Sequence, residues 1–250
     1  MIFEAHYSSS SGNLYVVTAA NGRRLLIECG VTWKKIQKAL KYKLDNVVGA
    51  ICSHGHADHS CGAEKIIEAG IDLFASQETL EILELSNQRR SHVLEEMNRQ
   101  SVSSEFEVFS FPVHHDIAGA FGFIIHDRSS KPPENLLFVT DTSHITQKFG
   151  VAFDIIAISA SYDKDILAGR VERQEIDETL AKRLLVSHME YHVAKRYIKE
   201  FCDLSKCRVI HLLHPSADNM DKKAVRKEFE DSFFVKVVIG AGRLARLLTS

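Results

Sequence analysis

Apolar residues along the chain fall into short runs, each closed by polar or turn-forming residues, the pattern of buried β-strands. Residues 14–18 and 24–27 read as strands joined across Asn21-Gly22, a strong hairpin signal. Ahead of them, residues 8–13 form a small-residue stretch expected as a tight loop at the sheet edge. Trp33, Ile36 and Leu40 recur at helical spacing, which predicts a helix over 32–43 with Thr32 as its N-cap. Residues 47–52 read as a core strand. A helix is predicted over 63–69, closed by Gly70, then a strand over 71–75 and a helix capped by Ser76. Residues 77–100 read as mostly helical. Strands are predicted over 106–111, 121–125, 136–139, 154–158 and 208–213, with largely helical sequence from 159 to about 186 and a helix from 187 through 201. Residues 235–239 and 244–248 close the chain as strands. No internal repeat or boundary is visible, so a single domain over 1–250 is expected.

Several of these strands stop at a residue that binds metals. Ser53-His54-Gly55-His56-Ala57-Asp58-His59-Ser60 follows the 47–52 strand directly, the position where open α/β sheets bind ligands. In an extended segment His54 and His56 point the same way, so one ion can take both. Asp58 and His59, one turn on, can hold a second. Imidazole nitrogen and carboxylate oxygen together suit zinc, iron or manganese. A polar loop that is merely rich in histidine is the bland alternative, and the H-x-H-x-D-H spacing after a buried strand weighs against it. Val113-His114-His115-Asp116, Thr140-Asp141-Thr142 and His214-Pro215-Ser216-Ala217-Asp218-Asn219 also stand where strands give out. An aspartate in such a place is costly unless it is paired or bound to a cation. Cys61, beside the first motif, is expected to be a small buried residue rather than a ligand, His92 an ordinary surface residue, and His211 a core histidine.

Composition narrows the setting without changing the chemistry. The 250 residues are enough for one large domain with a real core. With 31 basic against 33 acidic side chains the net charge is −2, so any phosphate-binding surface is local. Lys34, Lys35, Lys38 and Lys41 share the outer face of the 32–43 helix; simple solvation is the ordinary reading of such a face, and contact with a phosphate backbone the other. No run approaches a membrane span, and the first residues lack the pattern of a signal peptide. Five cysteines without a C-x-x-C pair read as reduced thiols. A cytoplasmic location without membrane contact is therefore expected; oligomeric state is not legible.

The H-x-H-x-D-H motif resembles the signature of the metallo-β-lactamase fold superfamily, mostly metal-dependent hydrolases. The small-residue loop, hairpin, metal loop, V-H-H-D, T-D-T and H-P-S-x-D-N follow in the order of its YycJ/WalJ-type branch, compact nucleases with proposed 5′-to-3′ exonuclease activity on DNA. The resemblance implies an α/β four-layer αββα sandwich, two mixed β-sheets flanked by helices. It implies two divalent ions, Zn or Mn: His54, His56 and His115 around one, Asp58, His59 and His214 around the other, Asp141 bridging. It further places His188 near the substrate and gives His6, His126, His144 and His211 no role.

Three departures stand out. Glu28 replaces an aspartate, and a longer carboxylate there would have to reorient a ligand histidine. Ser159-Ala160-Ser161-Tyr162-Asp163 stands where the branch has E-S-N-H-D, and Ser187-His188-Met189-Glu190-Tyr191 where it has G-H-x-S-N. The expected reaction is phosphodiester hydrolysis by a metal-bridging hydroxide, with Asp58 orienting it and His188 stabilising or protonating the leaving oxygen. DNA is the expected substrate. A small-molecule hydrolase, such as a cyclic nucleotide phosphodiesterase or a thioesterase, is the main rival, and a metal-binding protein without catalysis the weaker one.

Overall fold

The computed structural model describes residues 1–243. They divide into two compact units, one of residues 1–112, 117–134 and 241–243, the other of residues 113–116 and 135–240. The strand expected over 244–248 lies outside the described residues.

In the first unit, β1 (Ile2–Ser9), β2 (Gly12–Thr18) and β3 (Arg24–Ile27) run antiparallel. The loop expected over 8–13 is tighter than the sequence implies: β1 and β2 continue through it, and only Ser10 and Ser11 turn. Asn13 clamps the turn, its amide Oδ1 accepting from Ser9 N (3.2 Å) and its Nδ2 donating to Ser9 O (3.1 Å). After α1 (Trp33–Ala39) comes β4 (Val47–Ile51), parallel to β3. α2 (Ala57–Ser60) and α3 (Ala63–Glu68) precede β5 (Leu73–Ala75), parallel to β4, and α4 (Gln77–Ile82) follows. The core packs Leu14, Val16, Leu26, Ala50 and Leu73 of the strands against Ile36, Leu40, Ile66 and Leu80 of the helices. Each of the Leu, Val and Ile side chains contributes about 1.5–3 kcal/mol by leaving water.

Residues 77–100 depart from the expected helix. α4 ends at Ile82, Glu84 and Met97 take left-handed backbone angles, and the rest forms β6 (Ser91–Val93) and β7 (Asn98–Ser101). β6 closes one edge of the sheet and is half exposed, and β7 is more exposed still, so neither shows the alternation that reveals a strand. β7, β8 (Phe106–Pro112) and β9 (Phe121–Asp127) are antiparallel.

In the second unit, β10 (Glu134–Val139), β11 (Ile155–Ser159), β12 (Val209–Leu213) and β13 (Lys236–Ile239) form a parallel array of nearly continuous apolar sequence. α5 (Lys164–Glu172), α6 (Glu178–Ser187) and α7 (Tyr191–Phe201) link β11 to β12, and α8 (Lys222–Phe233) links β12 to β13. The sequence reading assigns no element to 222–233, where the structure buries Val225 and Phe229 four apart and Asp221 caps the helix by accepting from Lys223 N and Ala224 N. β14 (Gly242–Arg243) pairs antiparallel with β1 in the first unit.

His211 lies in β12 at 1% exposure, and burial pushes its pKa down to about 4. Its folded value lies below the unfolded one of about 6.5, so the unfolded chain takes up the proton first. Stability should therefore fall as pH drops from about 6.5 to about 4, by up to about 3 kcal/mol. In metal-free protein, denaturant titrations at pH 7 and 4.5 should show His211→Leu losing clearly less stability than the parent; equal losses would remove His211 as the cause.

Candidate metal centre

The backbone leaves β4 at Ile51 and turns into α2, placing His56 at the N-cap (φ −64°, ψ 144°) and Asp58 and His59 in the single turn that follows. His54 is buried, with Nδ1 2.8 Å from Ser53 Oγ. Its ring centroid lies 4.9 Å from that of His56 and 4.1 Å from that of His59. Ligand atoms of His54 and His56 fall within 4.8 Å of each other, as do those of Asp58 and His59. The loop is tied down from outside: Cys29 N–H donates to His59 O (2.8 Å), Gly62 N–H to Cys29 O (2.7 Å), and Asn13 Nδ2 to Asp58 O (3.1 Å).

Glu28 is fully buried beside this loop. One carboxylate oxygen accepts from Ser53 N (3.2 Å) and Cys52 Sγ (3.5 Å), and the other stands 3.5 Å from His59 Nδ1. Glu28 takes a left-handed φ of 61°. A carboxylate facing Nδ1 directs the Nε2 atom of His59 toward a metal, the usual arrangement around a ligating histidine. Asn13 Nδ2, now 3.0 Å from that Nε2, would yield to an ion. Glu28→Gln should therefore weaken metal affinity about 10- to 100-fold. Isothermal titration with zinc checks this; affinity equal to the parent's would make Glu28 purely structural.

The second unit gathers its own cluster. His115 has Nδ1 3.2 Å from Ser187 O and Nε2 3.2 Å from Asp116 Oδ1, and Asp116 is also held by Arg183 at 3.4 Å. Asp141, just past β10, is 4% exposed and accepts from Thr140 Oγ1 (3.3 Å). Its Oδ1 is 3.6 Å from His188 Nδ1 and 3.8 Å from His214 Nε2. His188 and His214 stack at 5.1 Å, and His115 lies 6.3 Å from His188. His214 has a φ of 53°, so left-handed backbone recurs where a strand delivers a histidine, at a cost of about 1–3 kcal/mol.

The loops that depart from the expected pattern are hydrogen-bonded to one another. Ser161 N–H donates to Met189 O (2.8 Å), Tyr191 N–H to Tyr162 O (3.0 Å), Ser216 N–H to Ser161 O (2.8 Å) and Asp163 N–H to Asn219 O (2.7 Å). Asp163 caps α5 and Glu190 caps α7. Residues 159–163 and 187–191 thus form one joined wall.

Cys61 corrects the sequence reading: it is exposed, because it caps the C-terminus of α2 and faces away from the core. It is not among the residues whose ligand atoms cluster. His92 is half exposed as expected, stacked on Phe74 at 4.7 Å. Asn13 and the Ser187 carbonyl escape sequence reasoning, since only the fold brings them to His59 and His115.

The family model described as "Beta-lactamase superfamily domain" matches residues 23–189. A 54-residue stretch is 43% identical to the Anti-Pycsar protein Apyc1 of Bacillus phage 010DV004, covering 22% of this chain and 21% of that protein. Among solved structures, the metallo-β-lactamase fold protein YhfI from Bacillus subtilis superposes with a TM-score of 0.69 at 15% identity, over 97% of this chain and 98% of that one. Zn(2+)-bound PqqB from Methylobacterium extorquens gives 0.70 at 11% identity, over 98% and 100%. The short form of human tRNase Z gives 0.63 at 15% identity, over 98% of each chain. The fold is mixed α/β, two mixed sheets flanked by helices, as the family resemblance implies. The chain belongs to the beta-lactamase superfamily and has the metallo-β-lactamase fold.

Proposed function

We propose that the chain, acting as one domain over 1–250, hydrolyses phosphodiesters with two divalent ions, zinc or manganese, and that DNA attacked from its 5′ end is its substrate. The observation that carries this reading is that each unit gathers imidazoles around a carboxylate, Asp58 beside His59 in one and Asp141 beside His188 and His214 in the other. The donor set, histidine nitrogens with carboxylate oxygens, fits such ions. His54, His56 and His115 would hold one ion, Asp58, His59 and His214 the other, and Asp141 both. When bound, the ions supply positive charge to the phosphodiester and lower the pKa of water. Asp58 orients the attacking water, and His188 gives the leaving oxygen a proton. The order of motifs supports the YycJ/WalJ-type branch, and the free cysteines a reducing, cytoplasmic setting. Among the described residues no helix is long and apolar enough to cross a membrane.

Incubating the protein with manganese or zinc and end-labelled DNA, RNA and cyclic nucleotides side by side tests the reading. Shortening of DNA from its 5′ end is expected; no DNA cleavage with any metal would overturn it. The joined wall of residues 159–163 and 187–191 favours one second reading, a small-molecule hydrolase such as a cyclic nucleotide phosphodiesterase or a thioesterase, because that wall departs from the nuclease pattern.

Lys34, Lys35 and Lys38 are exposed on α1 while Ile36 is buried. Replacing all three with glutamine should weaken DNA binding and flatten its log–log salt dependence by about one unit per lost phosphate contact. Binding titrations across salt concentrations check this; an unchanged slope would take α1 out of the binding surface.

A further inference from the structure

We propose that His114 and His144 form a stacking platform for the planar base of a nucleotide, beside the cluster of Asp141 and His115. Neither residue belongs to the ligand set. His114 immediately precedes His115, and His144 follows Asp141 by three positions. The two imidazoles come from separate loops yet lie face to face, with centroids 4.2 Å apart and planes 10° from parallel.

The pairing is built in. Thr142, fully buried, accepts from His114 N (3.1 Å) and donates to His144 O (2.8 Å), while Ser143 N–H donates to His114 O (3.1 Å). Ser143 Oγ, 3.0 Å from His144 Nδ1, fixes the rotation of that ring. Both residues are nevertheless exposed. Ordering two solvent-facing rings costs conformational entropy and buries little in return. An arrangement of that kind is suited to a flat ligand laid against it, since bases stack on aromatic side chains, histidine included.

The choice of a base over a phosphate has its own support. Burial, and after it the neighbouring His114, holds the His144 pKa below the ordinary histidine value. A lowered value favours the uncharged ring, which suits stacking better than the binding of an anion. The phosphate of the same nucleotide is left to the Asp141 cluster and its ions, so the inference rests on the phosphodiesterase reading and extends it to the nucleotide's base.

Calorimetric titration of the zinc-loaded protein with adenosine 5′-monophosphate and with ribose 5-phosphate, which lacks the base, tests the platform. The parent should bind the nucleotide about 5- to 100-fold more tightly than the sugar phosphate. His144→Gln, which loses the ring, should bring that ratio close to one, and His144→Phe, which keeps an aromatic face, should restore it. A parent ratio near one, or a ratio unmoved by His144→Gln, would overturn the platform. Equal weakening of both ligands in His144→Gln would also overturn it, in favour of a phosphate contact. These outcomes are separable from the reaction itself. DNA cleavage with no base preference leaves the phosphodiesterase reading standing and removes the platform; a ring-dependent preference in a protein that cleaves no phosphodiester does the reverse.

Discussion

Asp141→Ala should lower phosphodiester hydrolysis by about a thousandfold or more, because it removes the one carboxylate proposed to touch both ions. Metal content should fall with it, measured by elemental analysis after gel filtration. The fold should survive. Asp141 lies just past the end of β10, with His188, His214 and Thr140 among its neighbours. Removing the aspartate also relieves a buried acid of its desolvation cost, so a circular-dichroism melt close to that of the metal-free parent is expected. Two ions still bound at full occupancy in the variant would refute the bridging role.

Gly30→Ala should be the most damaging single methyl group near the site. A Cβ at Gly30 would stand 1.7 Å from Asp58 O and 2.5 Å from His59 N, so the backbone that carries two proposed ligands would have to move. Gly30 is in turn held by its own N–H bond to Asn13 O (2.9 Å), which leaves it little room to retreat. Overpacking of this kind costs about 1–3 kcal/mol, and here it also displaces Asp58 and His59. Denaturant midpoints should fall accordingly, and zinc affinity by about tenfold or more. Gly150→Ala is the control: nothing lies within 4 Å of a Cβ there, and a change within about 0.5 kcal/mol is expected. Equal behaviour of the two variants would mean that the loop around Asp58 adapts freely.

How much of this was legible beforehand follows from where each signal resides. Central strands such as β4, β10 and β12 are buried on both faces, so their apolar runs stand out, and each delivers its His or Asp at the point where the run stops. β6 and β7 were hidden because exposed strands need no apolar alternation. α8 was hidden because only Val225 and Phe229 of its twelve residues are buried, a narrow stripe among charged positions. The position of Glu28 could be read from the sequence, but its left-handed backbone could not, because that depends on the packing of Ser53 and His59 around it. The pairing of His114 with His144 depends on two loops meeting, and no local spacing encodes it.

The central claim is a two-ion centre held by the proposed ligands. Its most direct measurement is an anomalous difference map from crystals of the protein grown with manganese. The account predicts two peaks, one bordered by His54, His56 and His115, the other by Asp58, His59 and His214, with Asp141 touching both. A single peak, or peaks away from these residues, would contradict it.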